Sequence, residues 1–173
     1  MKKFILIFVA IFFCSITINA QTNNKKSTLP TVTINTLEGK AIKASEFSNE
    51  GKPFVICFWA TWCKPCLMEL NAMAELYDDW QKETGIKIYA VSIDDARTCP
   101  KVKPLVSGSD WGYEVVLDQN SELKRALGVN NPPHTFIVNE KGEIVWQHVG
   151  YAPGDEENLI EVYKKVVKGE ELK

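Results

Sequence analysis

The chain has 173 residues, 45% of them hydrophobic and 24% charged, with 22 acids against 20 bases and a formal net charge of −2. Such mild acidity excludes the basic footprint of a protein that binds nucleic acid or anionic lipid. The apolar share suffices for one domain with its own core, and five cysteines are too few for a disulfide-stapled mini-fold.

Residues 1–20 read MKKFILIFVAIFFCSITINA. Lys2 and Lys3 precede a mainly apolar stretch over 4–18, and Ile18-Asn19-Ala20 offers a cleavage site before Gln21. This is the plan of a secretory signal peptide. The stretch is shorter than the ~18–20 residues that span a bilayer, so membrane attachment is expected only if the segment stays uncleaved. Cys14 follows Phe12-Phe13 rather than small residues and belongs to the discarded part. The protein is expected to be exported to the periplasm or cell envelope. There Cys57, Cys63, Cys66 and Cys99 meet an oxidising environment.

Residues 21–28 are polar and read as a flexible leader, and residues 29–173 as one domain. Alternation over 31–35 and 40–43 around Glu38-Gly39 predicts an N-terminal β-hairpin. Residues 54–60 (FVICFWA) are apolar without alternation, which predicts a strand covered on both faces. A helix follows over about 63–82, with Leu67, Leu70, Met73, Ala74, Tyr77 and Trp80 inward. Residues 86–93 read as a second strand. Pro100 and Pro104 interrupt any helix over 95–106. Then come a short strand (113–117), a short helix (121–127) stopped by Gly128, and strands 135–138 and 143–149 joined by Asn139-Glu140-Lys141-Gly142. An amphipathic helix over 155–167 closes the chain, with Leu159, Ile160, Tyr163, Val166 and Val167 inward. This order implies an α/β protein: a central mixed β-sheet with helices on both faces.

The chemistry concentrates at Cys63 and Cys66. Residues three apart share one face of a helical turn, with Cβ atoms ~5–6 Å apart, and a small adjustment brings them to disulfide geometry. At a helix N-terminus, unpaired N–H groups and the dipole favour a thiolate on Cys63. Cys66, one turn in, is placed to resolve a mixed disulfide. A permanent bridge would close only a tiny loop and stabilise little. A zinc site needs a second such pair or paired histidines, and His134 and His148 stand alone. Redox exchange is therefore the expectation, with no metal and no cofactor.

Residues 58–66 (FWATWCKPC) resemble the active-site segment of thioredoxin-like proteins, in particular the exported TlpA/ResA-like branch, which includes thiol–disulfide oxidoreductases of cytochrome c maturation. The resemblance covers about 29–172 and extends to the N-terminal hairpin, Asp94-Asp95, and Pro133-His134-Thr135-Phe136-Ile137-Val138 followed by Lys141-Gly142. It implies a thioredoxin-like fold with a redox-active Cys63–Cys66 disulfide. It also implies a cis-proline at Pro133 beside that pair, a proton-transfer role for Glu69, and substrate contacts from Trp62, Pro133, His134 and Thr135. A cis-proline would turn a strand edge toward the nucleophile, so that a substrate peptide could pair with it. His134 reads either as a tuner of the thiolate or as a satisfied surface histidine. The implied partners are client proteins with disulfides or thiols, apocytochrome c among them, and a membrane thiol-electron donor that recycles the pair.

Two departures stand out. Cys57 occupies the place where thioredoxins bury an aspartate, so the proton-handling role falls to Glu69, to water or to nothing, with Glu69 the one obvious local carrier. Asn71 replaces a proline that kinks the helix of many relatives. Two other functions compete with this one. A peroxiredoxin-like peroxidase wants threonine three residues before its cysteine, and here Thr61 lies two before Cys63. A copper-handling metallochaperone would use both thiols and a histidine.

Overall fold

Among residues 27–170 and residue 172, which the computed structural model describes, seven strands and four α-helices follow one another. They are β1 (Thr33–Thr36), β2 (Ala41–Lys43), β3 (Phe54–Trp59), α1 (Lys64–Thr84), β4 (Ile88–Ser92) and α2 (Val102–Ser107), then β5 (Glu114–Leu117), α3 (Glu122–Ala126), β6 (His134–Val138), β7 (Ile144–Val149) and α4 (Asp155–Val167). The expected signal peptide and most of the leader lie outside the described residues. The end of the leader does not hang free: Ile144 N donates to Ser27 O at 2.8 Å, and Thr28 bridges Glu143. No described helix is long and apolar enough to cross a membrane.

The strands form one mixed sheet in the order β2-β1-β5-β4-β3-β6-β7. β3, β4 and β5 are parallel, and the other pairings are antiparallel, including β1 with β2. The unbroken apolar run of β3 is explained by its place: it lies between β4 and β6, and all six residues are buried.

α1 runs unbroken for 21 residues through Asn71, where many relatives carry a proline. The Asn71 Oδ1 accepts a hydrogen bond from Trp111 Nε1 at 2.8 Å. Cys66, Glu69, Leu70, Met73, Tyr77 and Trp80 form the buried stripe, and Gly85, in the left-handed region at φ 68°, ends the helix. α4 packs beside α1 and is tied to it by Lys164–Glu83 at 3.0 Å. Along β6 the side chains alternate. Thr135 faces α1, and Phe136 faces the other side, where it shares a cavity with Leu127 just past α3.

Two expectations change. The prolines do not prevent a helix: Pro100 sits in a 3₁₀ turn over Cys99–Lys101, and Pro104 is the third residue of α2, where no N–H is needed. Val167 is exposed rather than inward, because it is the last residue of α4, one turn beyond the buried Tyr163.

Candidate active site

The central strand delivers the cysteines. β3 ends at Trp59, a turn follows in which Cys63 N donates to Ala60 O at 3.0 Å, and α1 begins at Lys64. Cys63 is the N-cap, and its Sγ accepts from Cys66 N at 3.3 Å. Pro65 lies in the first turn, where a missing N–H costs nothing. Cys63 and Cys66 are joined by a disulfide of 2.00 Å with their Cα atoms 5.3 Å apart. Cys66 is 0% exposed and Cys63 6%, so an attacking group reaches Cys63 first. Trp62, next to it, is 59% exposed.

Asp94, just past β4, holds this turn. It is buried, and its carboxylate accepts from Thr61 N at 2.8 Å, Thr61 Oγ1 at 2.6 Å and Ser92 Oγ at 2.9 Å. Ile93 N adds a bond to Trp59 O at 2.9 Å. Sequence reasoning noted Asp94 only as part of a resemblance. Its task appears once the parallel register sets Trp59 beside Ser92, which brings the two strand ends together.

Glu69 lies one turn beyond Cys66 on the buried face of α1 and is 5% exposed. Thr135 Oγ1 donates to its Oε1 at 2.8 Å, and the same hydroxyl lies 3.6 Å from Cys57 Sγ. Burial pushes the Glu69 carboxyl up to about 7; the Thr135 hydrogen bond works against this, and the charges of Asp155 and Glu156 add to it. Burial, aided by Glu69, also holds the Cys57 thiol well above the usual thiol range, so Cys57 stays protonated.

The peptide bond between Pro132 and Pro133 is cis. The neighbouring residues sit differently from expectation. β6 is not an edge: from His134 onward it pairs with β3 on one side and β7 on the other, and Pro133 O accepts from Gly150 N at 2.9 Å. Its backbone is thus closed to a substrate strand from residue 134 on. Thr135 turns its side chain inward to Glu69, away from any substrate. His134 is neither a surface residue nor on the cysteine face. It is buried, stacks on Phe136 at 4.2 Å, and its Nε2 lies 3.2 Å from Gln147 Oε1. Burial lowers its pKa, which leaves the ring neutral at neutral pH. Of the expected substrate contacts, Trp62 adjoins Cys63 in sequence, and Pro133 directly precedes β6, whose first residue, His134, pairs with Phe58 of β3.

Cys99 is free and partly exposed, and burial with the nearby Asp94 charge raises its thiol pKa. Among the described residues, no three His, Cys, Asp or Glu side chains are grouped to hold a metal.

A family model described as the AhpC/TSA family matches residues 26–147. The chain belongs to that family. Within it, the similarity is to thiol–disulfide oxidoreductases: ResA of Bacillus thuringiensis subsp. konkukian is 34% identical over 137 residues, 79% of this chain and 75% of that protein. ResA of Halalkalibacterium halodurans is 34% identical over 134 residues, 78% and 72% of the two chains. A thioredoxin-like protein from Porphyromonas gingivalis, solved in solution, is 48% identical with a TM-score of 0.72, covering 81% of this chain and 92% of its own. StoA from Bacillus subtilis is 27% identical with a TM-score of 0.62, covering 78% and 99%. This member of the AhpC/TSA family is therefore a ResA/TlpA-like thiol–disulfide oxidoreductase with a thioredoxin-like fold.

Two predictions follow from the buried carboxylates. Glu69 titrates near 7 in the folded protein and near 4.5 when unfolded, so between these values the native state keeps a proton that the unfolded state has lost. Stability therefore falls as pH rises through that window. Glu69→Gln should remove this slope and be more stable than wild type above pH 7 by about 3 kcal/mol, as read from urea midpoints. Asp94→Ala strips three donors of their acceptor. It should cost about 3 kcal/mol in urea unfolding and speed hydrogen exchange at the Thr61 amide.

Proposed function

We propose that this protein is an exported reductant that cleaves disulfides in client proteins, with Cys63 as nucleophile, Cys66 as resolving thiol and Glu69 as proton carrier. The observation that carries this reading is the Cys63–Cys66 bond at the start of α1, with a buried carboxyl one turn further in. In the reduced protein the Cys63 thiolate attacks a client disulfide. A mixed disulfide forms between Cys63 and one client sulfur, and the other client sulfur leaves. Cys66 then gives its proton to Glu69, and its thiolate attacks Cys63. The Cys63–client bond breaks, the Cys63–Cys66 bond forms, and the client departs with two electrons. A carboxyl that titrates near 7 suits this exchange, since it can both take and return a proton at neutral pH.

Trp62, exposed beside Cys63, and Pro133 would border the docked client segment. Export rests on the signal-like residues 1–20. The likeness to ResA proteins and the resemblance to oxidoreductases of cytochrome c maturation favour a reducing role in the envelope, with apocytochrome c as one client and a membrane thiol-electron donor to recycle the pair. A peroxidase is disfavoured because the Thr61 hydroxyl is engaged by Asp94 rather than directed to a peroxide at Cys63.

In an insulin-reduction assay, Cys63→Ser should abolish turnover, whereas Cys66→Ser should accumulate mixed disulfides with client peptides; retained turnover in Cys63→Ser would refute the assignment. The reduction potential should fall near the thioredoxin range, ~−270 mV, and a value near ~−120 mV would reverse the proposed direction.

A further inference from the structure

Two buried polar groups to which the exchange reaction assigns no part, Cys57 and Thr135, continue inward from Glu69 as a chain of three. It runs from Cys57 Sγ in β3 to Thr135 Oγ1 in β6, at 3.6 Å, and on to Glu69 Oε1 in α1, at 2.8 Å. Cys57 and Thr135 face one another across the β3–β6 pair, and both are almost fully buried. The Thr135 hydroxyl is held on a strand paired on both sides, so it has little freedom other than rotation of its single hydrogen.

One hydrogen suffices for both states of the carboxyl. When Glu69 is ionised, the Thr135 hydroxyl donates to Oε1, and its oxygen accepts from the Cys57 thiol. When Glu69 is protonated, the carboxyl donates to the Thr135 oxygen, and the hydroxyl turns to donate to Cys57 Sγ. A sulfur atom with its own proton can play both parts, and an apolar residue could play neither. We propose that Thr135 and Cys57 are positioning residues forming a reversible hydrogen-bond relay that keeps the Glu69 carboxyl fixed and satisfied in both protonation states. The proposal rests on the reading of Glu69 as proton carrier and extends it to what supports that carrier.

The other groups that face Glu69 do not duplicate this role. Tyr113, beside β5, donates its hydroxyl to Leu70 O, and Tyr151, before α4, donates to Glu156 Oε2 at 2.9 Å. Both phenols are held above their usual range, mainly by burial, and are neutral. Asp155 and Glu156, at the start of α4, act on Glu69 by charge alone. Their contribution is common to all the variants below.

The test is an infrared titration of the Glu69 carboxyl in the full-length oxidised protein, with Glu69→Gln identifying the band, alongside the pH profile of disulfide exchange. Thr135→Val should raise the carboxyl midpoint by about one pH unit or more, the effect of losing a hydrogen bond to a charged group, and Thr135→Ser should restore it. Cys57→Ala should raise the midpoint by less. It should have no effect once residue 135 is valine, because Cys57 acts only through the hydroxyl. An unmoved midpoint in Thr135→Val, or an additive effect of Cys57→Ala in that background, overturns the relay. Should Thr135→Val not fold, the two Cys57 variants decide. Cys57→Ser with the wild-type midpoint and Cys57→Ala with a raised one support the relay, and equal midpoints overturn it. A pH profile of exchange that is unchanged in Glu69→Gln would instead remove the proton-carrier reading, while the infrared midpoints would still judge the relay.

Discussion

The pairing of β3 with β4 on one side and β6 on the other is the constraint on which the site depends. Parallel pairing with β4 sets Trp59 beside Ser92 and so brings Asp94 under the turn that precedes Cys63. Antiparallel pairing with β6 sets Cys57 beside Thr135 and brings that hydroxyl to Glu69. A slip of one residue in either register would turn the alternating side chains to the opposite face. A slip against β4 would lose the carboxylate clamp, and a slip against β6 would lose the carboxyl's partner.

The two buried carboxylates do different work because their surroundings differ. Asp94 is surrounded by donors, three of them within hydrogen-bond distance, which suits a side chain that holds backbone. Glu69 is buried, with one hydroxyl donor and two further acids at the start of α4, so its charged form is penalised. The same side-chain chemistry thus yields a structural clamp in one place and a titrating group in the other. Cys57 completes the second environment: it offers a polar sulfur beside the Thr135 hydroxyl without adding another charge to the interior.

Much of the architecture was legible in residue pattern. The apolar run of β3, the three-and-four spacing of α1 and the amphipathic α4 each follow from one periodicity, and each appears close to its expected place. The misreadings came where the local signal competed with position. Pro104 usually breaks helices, but in a first turn it removes nothing that was bonded. Val167 continues the apolar stripe of α4, yet the helix ends at that residue. The family resemblance implies substrate contacts from His134 and Thr135 along with Pro133, which they adjoin in sequence. A strand paired on both sides sends neighbouring side chains to opposite faces and leaves no free backbone there.

Sequence alone was sufficient for the reacting pair, because Cys63 and Cys66 meet through the geometry of a single helical turn and need no distant partner. Glu69 on the same helix was legible for the same reason. Only the tertiary structure assigned the groups that govern them. Asp94 and Thr135 lie far from the cysteines along the chain, and what they bond to is set by strand register. The inward turn of Thr135, the opposite face of His134 and the depth of Glu69 are consequences of sheet pairing and burial, and these are collective properties of the packed core.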